Sequence, residues 1–139
     1  PLVADIGDRF YFRPEGDGLL ISPADETPSD PVDARPATED VALALARVNE
    51  ATTLNLRHVR TTWAGLRTFA PDRNPVVGWS EPGFCWLAGQ GGYGMQTAPA
   101  LAALAASVVL DEPPPLALPA ATVASLVAAL SPGRFLTLG

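Results

Sequence analysis

Residues 84–96 constrain this chain more than any other stretch. Phe84, Cys85, Trp86, Leu87 and Ala88 form an apolar run that reads as a buried strand. Gly89, Gly91, Gly92 and Gly94 then interrupt it, and an alanine-rich helix is expected over 97–110. A strand, a glycine loop and a helix start leave backbone N–H groups bare, at the positive end of the helix dipole. Four glycines among the six residues 89–94 also let another group come close to the backbone. Two uses fit this pattern: a cradle for an anion or cofactor, and close packing where the helix begins. The residues alone leave both open.

The remainder of the chain frames that loop. A short apolar run at 2–6 reads as an edge strand, and 8–13 is aromatic enough to favour another. Alternation puts Phe10 and Phe12 on one face and Tyr11 on the other. The turn residues 14–18 followed by an apolar 19–22 predict a hairpin over 8–22, with a loop longer than two residues. Residues 23–36 form an acidic, proline-rich connector without periodicity. Thr38 is the expected N-cap of a helix over 38–49, with Glu39 and Asp40 in its first turn and Val41, Leu45 and Val48 at helical spacing. Residues 54–69 carry β-branched and aromatic side chains and are expected to be mostly extended, with Gly65 at a bulge or close approach. A turn at 71–75, a strand at 76–79, a turn at 81–83, a proline-rich connector at 111–119 and a helix at 121–130 complete the order. The expected class is α+β: a largely antiparallel sheet followed by a strand–loop–helix segment.

Composition excludes several functions. With 139 residues the chain suits one domain that buries roughly two thirds of its unfolded surface. A net charge of −6 argues against a nucleic-acid partner, which would need a basic stripe. The single cysteine, Cys85, allows no internal disulfide, and one Cys with one His argues against a zinc site; no metal is expected. No run of 18 apolar residues marks a membrane span, and no leader is evident. The expected location is cytoplasmic. Pro1 stands where an initiator Met would, so a piece of a longer protein is expected.

Gly89-Gln90-Gly91-Gly92-Tyr93-Gly94 satisfies the dinucleotide pattern G-x-G-x-x-G. That pattern should open a βαβ unit. Here the helix runs instead into Asp111-Glu112-Pro113-Pro114-Pro115, and the match lies late in the chain. A nicotinamide-dinucleotide domain is therefore the least favoured reading. Among other candidates, Arg67 offers a planar fork suited to a carboxylate, against the plainer reading of a surface ion pair. Tyr11 could place a hydroxyl in a pocket or be a packed aromatic with a wet tip. His58, between Arg57 and Arg60, reads as solvated, Cys85 as a buried inert thiol, and the acidic residues of 25–40 as a solvated run.

Three stretches taken together carry a family resemblance. They are Thr62-Trp63-Ala64-Gly65-Leu66-Arg67-Thr68-Phe69, Asp72-Arg73-Asn74-Pro75-Val76-Val77-Gly78, and the run from Gly83 to Pro99 through the glycine loop. They resemble the C-terminal part of the FAD-dependent D-amino acid oxidase family, which includes glycine and sarcosine oxidases. The glycine loop followed by Met95 and Gln96 is most similar to D-arginine-type D-amino acid dehydrogenases, and Phe10-Tyr11-Phe12-Arg13-Pro14 fits the same subtype.

The resemblance implies a division of labour. Residues 1–80 would be part of a substrate-binding domain, and 81–139 the segment that returns to an FAD-binding domain whose N-terminal dinucleotide unit is absent from this chain. Arg67 matches the arginine that pairs with the substrate carboxylate, and Tyr11 a tyrosine that contacts the same group, with Gly92 beside them. Gly65, Gly91, Gly92, Tyr93, Gly94, Met95 and Gln96 match positions beside the flavin, where backbone N–H groups face the ring edge that becomes negative on reduction. The implied activity is oxidative deamination of an amino acid, a D-amino acid in this subtype, by hydride transfer from Cα to flavin N5. Its partners would be the amino acid and the missing FAD-binding half. The alternative is a folded, non-catalytic cap or interaction module. Either way, the isolated chain is expected to be inactive and to hold FAD weakly, because the pyrophosphate-binding half is missing.

Overall fold

The aromatic N-terminal segment closes into a tight hairpin. Strand β2 (Tyr11–Glu15) pairs antiparallel with β3 (Gly18–Ser22), in a register that runs from Tyr11 opposite Ser22 to Glu15 opposite Gly18. Only Gly16 and Asp17 are left as the loop, shorter than the turn composition implied. Gly16 makes this possible with φ +59°, the left-handed backbone that two-residue hairpins require. Pro14 joins the strand because ladder positions alternate. Next to the Glu15–Gly18 pair it falls where its missing N–H faces away from β3. Strand β1 (Val3–Ala4) covers that other edge only at Phe12 and Tyr11, so Pro14 removes no ladder bond.

The computed structural model describes residues 1–114 and 118–136. It has an α+β architecture, with two antiparallel sheets and three helices among the described residues. Two units form, Pro1–Leu66 and Arg67–Gly139.

In the first unit, helix α1 (Thr38–Ala51) packs on β3 and buries Ala44 and Val48, the centre of the stripe with Val41 and Leu45. Phe10 is buried, and its ring lies 6.5 Å from that of Phe12, nearly parallel to it, so the two share a face as alternation requires. Arg47 of α1 donates to the carbonyls of Arg9 and Pro23, tying the helix to the open end of the β2–β3 hairpin. Thr38 does not cap. The carbonyl of Ala37 already accepts from the N–H of Val41 at 3.2 Å, so the first helical bond begins one residue earlier and Thr38 is inside the helix.

Residues 54–66 form no ladder, contrary to their β propensity. Their polar groups are met by side chains instead. Asn49 brackets Leu56, accepting from its N–H at 2.6 Å and donating to its carbonyl at 2.9 Å. Arg60 makes a two-pronged pair with Asp17 at 2.6 and 2.9 Å. Propensity needs a partner edge to become a strand, and the described chain offers none here. Gly65 accordingly marks no bulge, and the space beside its Cα is open.

In the second unit, β4 (Val76–Glu81) and β5 (Phe84–Ala88) form a hairpin across Pro82 and Gly83, with a bulge between Trp79 and Glu81. Pairing with β5 groups residues 67–80 with the chain that follows. Helix α2 (Gly94–Leu110) starts three residues earlier than its alanine pattern indicated, and α3 (Ala120–Leu130) follows. Val77, Leu101 and Leu104 form the buried core, flanked by Ala105, Val123, Val127 and Leu130. Burial of each large aliphatic is worth about 1.5–3 kcal/mol. Part of the expected connector, residues 115–117, lies outside the described residues.

Arg134 closes this unit at its end. Its guanidinium meets both carboxylate oxygens of Asp72, at 2.7 and 3.1 Å, and donates to the carbonyls of Leu130, Ser131, Asn74 and Pro75. It holds the Asp72 carboxyl well below the usual carboxylate range.

One expectation about apolar character is corrected. The 84–88 run is not buried: Phe84, Trp86 and Leu87 are each more than 40 % exposed, and Cys85 is half-buried. Phe84 and Trp86 point to one face and Leu87 to the other, so this two-stranded sheet is left partly open on both faces. Conversely, Gly91–Leu110, with mean hydropathy 1.3, is long and apolar enough to cross a membrane by length and composition. Its glycines, Gln96 and Thr97 interrupt the apolar run, so no stretch of 18 apolar residues is present in the sequence. Within this unit, its Leu101 and Leu104 serve as core.

Candidate functional site

The glycine loop folds back on the segment that begins at Arg67. Phe69 and Gln90 form an isolated antiparallel bridge, and the N–H of Gly91 donates to the carbonyl of Thr68 at 3.0 Å. Counting outward from that bridge puts Gly91 opposite Thr68 and Gly92 opposite Arg67. The side-chain contacts follow this register at Gly92 but depart from it at Gly91, whose positive φ turns its Cβ direction towards Phe69. A Cβ on Gly92 would lie 3.0 Å from Arg67 Nη1. A Cβ on Gly91 would strike the Phe69 ring, at 2.8 Å from Cδ1 and closer still to Cε1. Gly91 also has φ +55°, in the left-handed region. Thus the absent side chains at these two positions admit the ring of Phe69 and the fork of Arg67.

The Arg67 guanidinium lies 5.6 Å from the Phe69 ring centroid, within reach of a cation–π attraction, and that of Arg73 lies at 4.4 Å. Arg67 itself is exposed. Beyond Gly92 the chain makes a 3₁₀ turn (Gly91–Tyr93) and enters α2. The Tyr93 N–H bonds the carbonyl of Gln90, and the Thr97 hydroxyl bonds that of Tyr93. No side-chain cap and no acidic residue occupies the first turn of α2. Tyr93 and Met95 are 61 % and 95 % exposed.

Of the residues singled out from sequence, Arg67, Gly91 and Gly92 are therefore in one place, and Tyr93, Gly94, Met95 and Gln96 continue directly from them. Gly65 and Tyr11 belong to the first unit. Tyr11 sits mid-sheet between Ala4 and Ser22, with its side chain partly exposed. His58 is exposed, and no group of His, Cys, Asp and Glu among the described residues could hold a metal.

Phe69 is the residue that sequence reading missed. It was read only as part of an extended stretch. The available signal was its spacing: in extended chain, residues two apart share a side, which puts Phe69 beside Arg67.

A family model described as FAD dependent oxidoreductase, DAO, matches residues 1–108, across both units and into α2. The chain belongs to this family of FAD-dependent oxidoreductases, and FAD is the cofactor of the complete protein. The start of α2 suits the anionic edge of such a cofactor, because its uncapped first turn carries no negative side chain that would repel it.

Proposed function

We propose that the complete enzyme oxidises an amino acid, a D-amino acid by subtype resemblance, to an imino acid that hydrolyses to a 2-oxo acid and ammonia. The observation that carries this reading is the seat of Arg67 against Gly92, which fixes a carboxylate-matched fork at the threshold of α2. A guanidinium binds a carboxylate through two parallel hydrogen bonds, and so sets orientation as well as affinity. Tyr11 is assigned a hydroxyl contact to the same carboxylate on resemblance alone. The backbone N–H groups of residues 91–96 would hold the flavin ring edge, with Gly65 also assigned to the cofactor. When bound, FAD supplies the two-electron acceptor that takes a hydride from Cα. The chain's own contribution is orientation: Arg67 anchors one end of the substrate so that the Cα–H presents a single geometry.

In this reading residues 1–80 belong to the substrate-binding side and 81–139 to the FAD-binding side. The test is Arg67→Met in the full-length enzyme. Loss of one partner of a desolvated charge pair should lower kcat/KM by roughly 10²–10³-fold. An unchanged kcat/KM would remove Arg67 from the site.

A further inference from the structure

We propose that Phe69 is a positioning residue for Arg67, and that Gly91 and Gly92 are the two vacancies through which the glycine loop sets that arginine. The inference rests on the reading of Arg67 as the carboxylate anchor.

Three observations combine. The Phe69–Gln90 bridge and the Gly91–Thr68 bond lock the 67–69 segment to the loop in one register. In the folded loop the Phe69 ring fills the space that a Cβ on Gly91 would take, and Arg67 Nη1 lies beside Gly92. The ring in turn lies 5.6 Å from the Arg67 guanidinium, close enough for its π face to attract the cation. Arginine loses much rotamer freedom when it binds a ligand, so a fork held in advance binds more tightly than a free one. The ring and the glycine loop both border the guanidinium of this exposed arginine and narrow its choice of rotamers. Phe69 itself touches no reacting atom in this scheme. Its effect passes through Arg67, and so should appear in substrate binding before it appears in turnover.

The experiment uses the full-length FAD enzyme and two readouts. The first is steady-state kinetics with its amino acid substrate. The second, independent of turnover, is the Kd for pyruvate as a 2-oxo acid probe, measured by titration calorimetry. Phe69→Leu, which keeps bulk but removes the π face, should raise KM and the pyruvate Kd by about two- to fivefold, with kcat unchanged. Phe69→Tyr should restore both. Gly92→Ala, which leaves Phe69 intact and crowds Arg67 Nη1, should raise the pyruvate Kd by a similar factor. It also serves as the test should Phe69→Leu fail to fold. If Arg67→Met abolishes pyruvate binding while Phe69→Leu and Gly92→Ala bind it as the parent does, the positioning role is wrong and the anchor stands. A Phe69→Tyr variant no better than Phe69→Leu also overturns the role. If Arg67→Met binds pyruvate normally, the anchor is wrong and the positioning role falls with it.

Discussion

Replacing Gly91 by alanine tests whether the loop is built around the Phe69 ring. The substitution acts in two ways. At φ +55° an L-residue pays a backbone penalty of about 1–2 kcal/mol. The new methyl must also enter the Phe69 ring, since its ideal position lies 2.8 Å from Cδ1. Overpacking of this kind adds about 1–3 kcal/mol, for a total of roughly 2–5 kcal/mol. Gly16 supplies the internal control. Its φ is +59°, and nothing lies within 4 Å of an added Cβ, so Gly16→Ala carries the backbone part alone. Urea unfolding followed by circular dichroism gives both values. With a slope of about 2 kcal/mol per molar urea, Gly91→Ala should lower its unit's midpoint by about 1–2.5 M. Gly16→Ala should lower its own by about 0.5–1 M. In a Phe69→Ala background the extra loss at Gly91 should disappear, leaving the backbone part, and the difference between backgrounds is the coupling energy. The reasoning is refuted if Gly91→Ala is no more destabilising than Gly16→Ala, or if its full penalty survives removal of the ring.

Two further outcomes follow from the same fold. Asp111 ends α2 in the left-handed conformation, φ +54°, where glycine is the usual occupant and where a carboxylate opposes the helix dipole. Asp111→Gly should therefore stabilise by about 0.5–1 kcal/mol, read as a higher urea midpoint, and a lower midpoint would contradict this. The carboxyls of Asp5, Asp17 and Asp72 all have folded pKa values depressed by arginine partners, first of all through side-chain hydrogen bonds to Arg9, Arg60 and Arg134 respectively. Depressed acids stabilise the fold above their unfolded pKa and lose that contribution as pH falls through the folded value. For Asp5 this window runs from the ordinary 3.8 down to about 2. Acid titration of the urea midpoint should fall across that window, and less steeply in a triple Asp5→Asn, Asp17→Asn, Asp72→Asn variant. Identical slopes would show that the three pairs make no pH-dependent contribution.

Most of the secondary structure was legible locally. The period of Val41, Leu45 and Val48 gave α1, the alternation of Phe10, Tyr11 and Phe12 gave a strand face, and Pro82 with Gly83 gave the β4–β5 turn. The failures share one cause. Residues 54–66 had strand composition but no neighbouring edge, and 84–88 had core composition but sit in a two-stranded sheet that is only partly covered. Propensity records what a segment tolerates, whereas pairing and burial depend on what arrives beside it.

The glycine loop divides along the same line. By itself the sequence determined that residues 89–94 must lead into a helix through backbone that only glycine adopts freely, and its motif order carried the FAD-dependent family that the match over 1–108 supports. Whether those glycines face a ligand or the chain itself depended on a register between segments more than twenty residues apart. The tertiary structure decided it for Gly91 and Gly92: their missing side chains are occupied by Phe69 and Arg67. A vacancy in sequence is only an absence of atoms, and the fold determines which atoms fill it.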